Sequence, residues 1–294
     1  MRILSFGSVP RGVTGAVSAV VLFAGGAVAC GGDGGSDPAR GEPSGVTPAT
    51  AVAKAAAHSA DIVSLHYRIT GTVPEEGRLE ADAFMRTDPP AMSMELSTAG
   101  RSGNGRLPVR FVDGVMYVGG AAKGRSWFRA DPATWGGLTV DNDSYGVLPR
   151  QLEGSPVVQS TLLTGSEDVR RVGTETVDGA RTTHYRGTVT FDGLRAARDA
   201  APDEATRERR VESLDQFMGL RVSDTLTMDL WVDGDGRAKR FRWQARTDGA
   251  RGGTGGGPLD LTVTFLDVDR PVTIEAPPAE DTAALVEDAR EVLD

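Results

Sequence analysis

Three imidazoles, 41 carboxylates and one thiol are the side chains of this 294-residue chain from which catalysis or metal binding would have to be built. The imidazoles are His58, His66 and His184. His58 lies in an alanine-rich run, whereas His66 and His184 fall on the polar side of two alternating stretches. Histidines so placed read as solvated or locally hydrogen-bonded groups; only a fold that joined 66 to 184 would make them a two-histidine metal pair. Asp141-Asn142-Asp143-Ser144-Tyr145-Gly146 begins like a calcium loop. It then fails, because Tyr145 stands at the fifth position and Leu152 at the twelfth, where a bidentate Glu is required. Asp233-Gly234-Asp235-Gly236 is also acidic, yet Asp-Gly is what a tight hairpin needs for positive φ, so it reads as a turn. There is no G-x-S-x-G elbow, no H-E-x-x-H, no Walker loop and no dinucleotide fingerprint. The expectation is a protein that is not an enzyme, with no catalytic residue, no cofactor and no metal.

The thiol is more informative. Met1 to Ala29 carries Arg2 and Arg11 and then an apolar run from Val13 to Ala29, too short for a comfortable membrane span and laid out as a secretory signal. It ends at Ala27-Val28-Ala29-Cys30, and Cys30 is the one cysteine of the chain. This resembles a bacterial lipobox, in which the thiol takes a diacylglyceryl group and becomes the mature N-terminus. Ala27 stands where that pattern most often has Leu; the alternative is ordinary cleavage after Ala29 that leaves Cys30 as a free thiol. Residues 31–48, nearly devoid of apolar side chains, cannot pack. As a Gly-rich coil they would span roughly 23 Å r.m.s. and hold a folded domain off a surface. The reading divides the chain into a signal peptide (1–29), a lipidated cysteine with a flexible tether (30–48), and one domain (49–294) built from two similar halves. The anchor places it on the extracytoplasmic face of a cell membrane.

Composition narrows the partners. A formal charge of −9 argues against nucleic acid. Among 32 basic residues the only lysines are Lys54, Lys123 and Lys239. That skew toward arginine, with the abundance of Ala, Gly and Val, reads as the bias of a GC-rich genome rather than as an arginine-built site. A lone cysteine excludes an intramolecular disulfide and any multi-cysteine metal site.

The elements that must position everything else follow from periodicity. The run from about Thr50 to Leu65 has no Gly or Pro and predicts a first helix. Period-two alternation then sets Leu65, Tyr67 and Ile69 on one face, and Leu79, Ala81, Ala83 and Met85 on another strand. Val109 to Val118 reads as a hairpin about Asp113-Gly114. Tyr185, Val189 and Phe191 share a face, as do Leu226, Met228, Leu230 and Val232; Phe241, Trp243 and Ala245 continue it past the 233–236 turn, and Leu259, Leu261, Val263 and Phe265 add a strand. Clean alternation means antiparallel strands with one wet face. Residues 147–165 predict a helical or turn segment. Residues 203–220 predict a charged helix with one apolar stripe, Val211, Leu214, Phe217 and Met218. The C-terminal stretch from Ala279 predicts a short amphipathic helix carrying Leu285, Val286, Val292 and Leu293, and 246–258 a long mobile hairpin loop. About 9–11 strands with one apolar face must close into a barrel or curl over the helices. With 6% aromatics, the core could be incompletely filled and hold a ligand.

The order of these parts, namely signal, Cys30, tether, Ala-rich helix, a strand ending at Gly71, strands with an Asp-Gly turn before Tyr117, Trp127, Asp131-Pro132, the segment 172–189, the hairpin 230–241 and the segment 263–278, resembles the LppX/LprAFG-type actinobacterial lipoproteins. More broadly it is similar to the LolA/LolB-like lipid carriers. The resemblance covers about residues 50–280 and rests on pattern, not on a catalytic signature. It implies an α+β fold, mainly antiparallel: a strongly curved, unclosed half-barrel with helices over its concave face and a cavity for lipid or glycolipid acyl chains. On that expectation the cavity is lined by Tyr67, Ile69, Met85, Tyr185, Val189, Phe191, Leu226, Met228, Leu230, Trp243, Val263 and Phe265. The 211–218 stripe is then either a lid or a permanently packed helix. Of Trp127, Trp135, Trp231 and Trp243, some line the mouth and some only anchor the core. The expected partners are a lipid or glycolipid, the membrane through Cys30, and a membrane transporter or other envelope protein. The rival is a sensor or interaction lipoprotein with a filled core; a wide apolar cavity favours the carrier, a filled core with an exposed apolar patch the rival.

Overall fold

The computed structural model describes residues 46–74, 77–98, 106–122, 125–130, 154–220, 222–247 and 257–284. The signal peptide, Cys30, Trp135, the 141–146 loop, most of the tether and of the 246–258 loop, and Leu285 to Asp294 lie outside the described residues.

Helix α1 (Pro48–Ala60) starts where local chemistry says it should: Pro48 occupies the first helical turn and the Thr47 hydroxyl accepts the Thr50 N–H at 3.1 Å. It ends at Ala60, five residues short of the expected Leu65. The Val63 N–H is taken instead by the Asp269 carboxylate at 2.9 Å, 206 residues away, and the chain enters a strand. A long-range partner thus overrides a favourable helical run.

Twelve strands follow: β1 (Ser64–Val73), β2 (Gly77–Thr87), β3 (Pro90–Thr98), β4 (Arg106–Val112), β5 (Val115–Ala122), β6 (Arg125–Ala130), β7 (Arg170–Val177), β8 (Ala180–Val189), β9 (Val222–Asp233), β10 (Ala238–Thr247), β11 (Gly257–Val268) and β12 (Thr282–Ala284). They form one sheet in the order β12-β6-β5-β4-β3-β2-β1-β11-β10-β9-β8-β7. Every neighbouring pair is antiparallel except β12 with β6, and among the described residues β12 and β7 are the two edges of an unclosed sheet. The twelfth strand is the piece that periodicity misses. Ala279–Asp281 form a 3-10 turn and Thr282–Ala284 a short parallel strand where an amphipathic helix was expected. Asp113-Gly114 and Asp178-Gly179 both have the paired positive φ of tight hairpin turns. The Asp233 carboxylate accepts the backbone N–H groups of Asp235 and Arg237, so the 233–236 tip is a self-capped turn.

Among the described residues three more helices follow: α2 (Pro156–Gln159), followed by a 3-10 turn at Leu162–Gly165, then α3 (Phe191–Asp199) and α4 (Glu204–Gly219). The core lies between these and one face of the sheet. Val52 and Ala55 of α1, Val157, Leu162 and Leu163, Leu194 of α3, and Leu214 and Phe217 of α4 all join one cluster with the alternate residues of β1, β2 and β8 to β11. The architecture is the expected curved half-barrel with helices over its apolar face. Among the described residues no helix is long and apolar enough to cross a membrane.

The run β4-β3-β2-β1 is followed in the same sense by β11-β10-β9-β8. The tripeptide His-Tyr-Arg occurs on the first strand of each set, at 66–68 and at 184–186.

Candidate functional site

Four segments distant in sequence meet around a cavity of about 500 Å³ at one end of the half-barrel. The α1 face contributes Ala53, Ala56, Ala57 and Ala60, which leave space because nothing extends past Cβ. Opposite them stand Ser155, Val157, Val158, Thr161 and Thr164 of the α2 segment, and Thr206, Arg209, Arg210 and Ser213 from one face of α4. Ile62 and, from the β2–β3 hairpin, Met85 and Pro90 also line it. Short hydroxyl links hold the walls together: Ser59 to Ser160 at 3.0 Å and Thr161 to Ser213 at 3.1 Å.

The rim is cationic, although the chain as a whole is acidic. Arg86, Arg209 and Arg210 stand on it with Glu212. Arg86 donates to the Pro89 carbonyl at 2.9 Å, Arg209 to the Thr206 hydroxyl at 2.9 Å, and Arg210 to the Ala197 carbonyl; the charges of Arg209 and Arg210 also help to hold the Asp203 carboxyl below its usual range, after its hydrogen bonds from Thr206. The Glu212 carboxyl is raised above its usual range, first by loss of water around it and then by the Asp215 charge. An apolar floor under a positive rim can hold an amphiphile; nothing in it resembles a nucleophile with its base.

The residues expected to line a cavity are placed differently. Met85 is in its wall; the other eleven are not. Tyr67, Ile69, Val189, Leu226, Met228, Leu230, Trp243, Val263 and Phe265 are buried in the packed core. Tyr185 is partly buried against that core, and Phe191 starts α3 and is 43% exposed. The centre of the sheet is therefore filled; the space lies where small alanines face the helices. Helix α4 divides the expected stripe: Leu214 and Phe217 are buried, while Val211 and Met218 are exposed at 41% and 55%. A 16-residue helix against a curved sheet buries a narrower band than its apolar residues span. Trp243 anchors the core, Trp231 lies under Arg240 on the other face of the sheet, and Trp127 carries the Arg110 guanidinium 4.9 Å above its ring.

The histidines lie on the expected faces, but His184 is buried rather than wet. Its ring stacks on Trp231 at 4.3 Å between centroids, Nδ1 sits 3.1 Å from Glu175 and Nε2 2.5 Å from Asp229. Asp229, with no exposed surface, also receives two hydrogen bonds from Arg186 at 2.7 and 3.0 Å. That carboxylate drives the Arg186 guanidinium still higher in pKa. The same pattern recurs on β1 and β2. His66 stacks on Phe84 at 4.1 Å, with Nε2 3.0 Å from Asp82, Nδ1 3.6 Å from Asp267, and Arg68 4.0 Å from Asp82. His-x-Arg on one strand thus faces Asp-x-aromatic on the next, twice. The sequence signal was available in the repeated His-Tyr-Arg and in Asp82-Ala-Phe84 against Asp229-Leu-Trp231. No His66–His184 metal pair forms, because β1 and β8 are four strand spacings apart, on the order of 19 Å. Among the described residues no group of three or more His, Cys, Asp or Glu is arranged to hold a metal. His58 bonds through Nδ1 to the Gly236 carbonyl at 3.0 Å, tying α1 to the β9–β10 turn.

No protein-family model matches the chain. It is 30% identical over 190 residues to an uncharacterised 31.2 kDa protein of Streptomyces griseus, an alignment that covers 61% of this chain and 57% of that protein. The chain therefore spans little more than half the length of that relative. Among solved structures it is similar to the lipoprotein LppX of Mycobacterium tuberculosis, with a TM-score of 0.48, 16% identity, and coverage of 78% of this chain and 98% of that one. It is also similar to LprF from Mycobacterium bovis, with a TM-score of 0.46, 13% identity, and coverage of 79% and 99%. Its likeness to MucB has a TM-score of 0.35 at 14% identity over 78% of this chain and 60% of that one.

Proposed function

We propose that this chain is a membrane-anchored extracytoplasmic lipoprotein that binds a lipid in the cavity between α1, α2 and α4. The observation that carries the reading is the cavity itself: about 500 Å³, walled by alanine and valine, with arginines at its rim. This lies in the usual range of ligand sites, roughly 300–1,000 Å³. Burying an acyl chain there gains about 0.8 kcal/mol per methylene, and no catalytic group is required. Cys30, at the end of the apolar N-terminal run, supplies the anchor, and the residues after it supply the reach. Native mass spectrometry of the full chain, released from detergent in the gas phase, tests the reading. A lipid mass that disappears on organic extraction and in Ala57→Trp is expected. A chain that stays free of lipid after incubation with cell-envelope lipids would overturn it.

The filled centre of the sheet favours a second reading, a lipoprotein that pairs with a membrane transporter or other envelope protein and uses the half-barrel as scaffold. A lipid-free mass in the same experiment is the outcome that this reading expects.

A further inference from the structure

We infer that the cavity takes a single-chain anionic amphiphile: one acyl chain in the alanine-walled space and an acidic head group at the arginine rim. The inference rests on the lipid-binding reading above and names its ligand class.

Size selects the chain number. Allowing each methylene the ~30 Å³ liquid share of a water molecule, about 500 Å³ corresponds to roughly seventeen carbons. That is the room of about one long acyl chain. Among the described residues, Trp243, Phe241 and Phe265 pack the middle of the sheet and are at most 1% exposed.

Charge selects the head group. The chain carries −9 overall, yet three arginines and one glutamate stand on this rim. Their spacing follows from structure: Arg209 and Arg210 lie on the α4 face that carries Thr206 and Ser213, at i, i+3, i+4 and i+7. Arg86 reaches the same mouth from the end of β2. The fork of a guanidinium matches a carboxylate or a phosphate, each of which takes two parallel N–H donors. A cationic ligand would meet like charge there.

The test uses the full chain in neutral detergent micelles with two photoreactive probes, a diazirine-bearing palmitic acid and its methyl ester. Labelled peptides are mapped by mass spectrometry. The acid is expected to label peptides from α1 and α4 at least tenfold more than the ester. Arg86→Gln with Arg209→Gln brings the acid to within about twofold of the ester; Arg209→Lys retains most of the excess; Ala57→Trp removes both labels. Arg210 is left in place because it ties α4 to α3. Unlabelled palmitate or palmitoyl-lysophosphatidylglycerol should compete, and whichever is stronger identifies a free carboxylate or a head-group phosphate as the source. Equal labelling by acid and ester would overturn the acidic head group. Competition by two-chain phosphatidylglycerol as strong as by its lyso form would overturn the single chain. Labelling of neither kind at α1 and α4, unchanged by Ala57→Trp, would sink the lipid-binding reading itself.

Discussion

Asp229 and Asp82 occupy equivalent places in the two His-Tyr-Arg units, but water reaches only one of them. The Asp229 side chain is fully buried and serves Arg186 and His184 together, whereas that of Asp82 is 46% exposed. Removing one partner of a buried ion pair strands the other, typically at about 3–5 kcal/mol; an exposed pair contributes about 0–1 kcal/mol. Asp229→Ala should therefore lower the urea midpoint strongly and Asp82→Ala only slightly, and equal losses would contradict the assignment. Acid sensitivity has its own residues. The Arg242 guanidinium beside Asp260 holds that carboxyl below its usual range, and the Thr188 N–H, then the Ser166 hydroxyl, do the same for Asp168. The native state therefore holds these protons less tightly than the unfolded chain. Their stabilisation is present above the unfolded carboxylate value of about 3.9 and is lost as pH falls through it toward the lower folded values. Thermal unfolding between pH 5 and pH 2 should show that loss, and Asp260→Asn should start lower and fall less steeply; a steeper fall would sink the idea.

Helices respond to packing rather than to their own polarity. On α4 the two buried stripe residues and the two exposed ones are chemically alike, so exposure should decide the cost. Leu214→Ala should destabilise by about 2–5 kcal/mol, the range for a core leucine. Met218→Ala should stay within about 0.5 kcal/mol. Chemical denaturation of both variants checks this, and a Met218 effect as large as that of Leu214 would mean that the exposed end is covered. The alternation of β1, β2, β9, β10 and β11 predicts their buried residues well, because a strand with one wet face writes its environment into every second position. Element ends were less legible. Helix α1 stops where Asp269 captures Val63, and β12 replaces the start of an expected helix because β6 offers an open edge beside it.

One contiguous cluster joins residues of β1 and β2 to residues of β8 through β11, and the two strand sets meet where β1 pairs with β11. Such a core should unfold as a unit despite the repeat. Circular dichroism and tryptophan fluorescence should then give coincident urea transitions, also in Trp127→Phe, whose remaining described tryptophans lie in the second set. Two separated transitions would mean that the halves are independent.

The sequence by itself determined the antiparallel class, the apolar face of the strands and the hairpin turns. All of these depend on neighbours a few residues apart, where period, turn chemistry and spacing act directly. Only the tertiary structure decided which apolar positions fill the core and which surround empty space. A cavity is the difference between the volume that opposing segments enclose and the volume that their side chains occupy. Here the segments are 53–62, 85–90, 155–164 and 202–213, and the deciding residues are alanines whose small size has meaning only opposite α4. For the same reason three arginines that read as genomic bias are gathered at one mouth, and His184, placed on a polar face by its period, is sealed beneath Trp231 by a strand that begins 38 residues later.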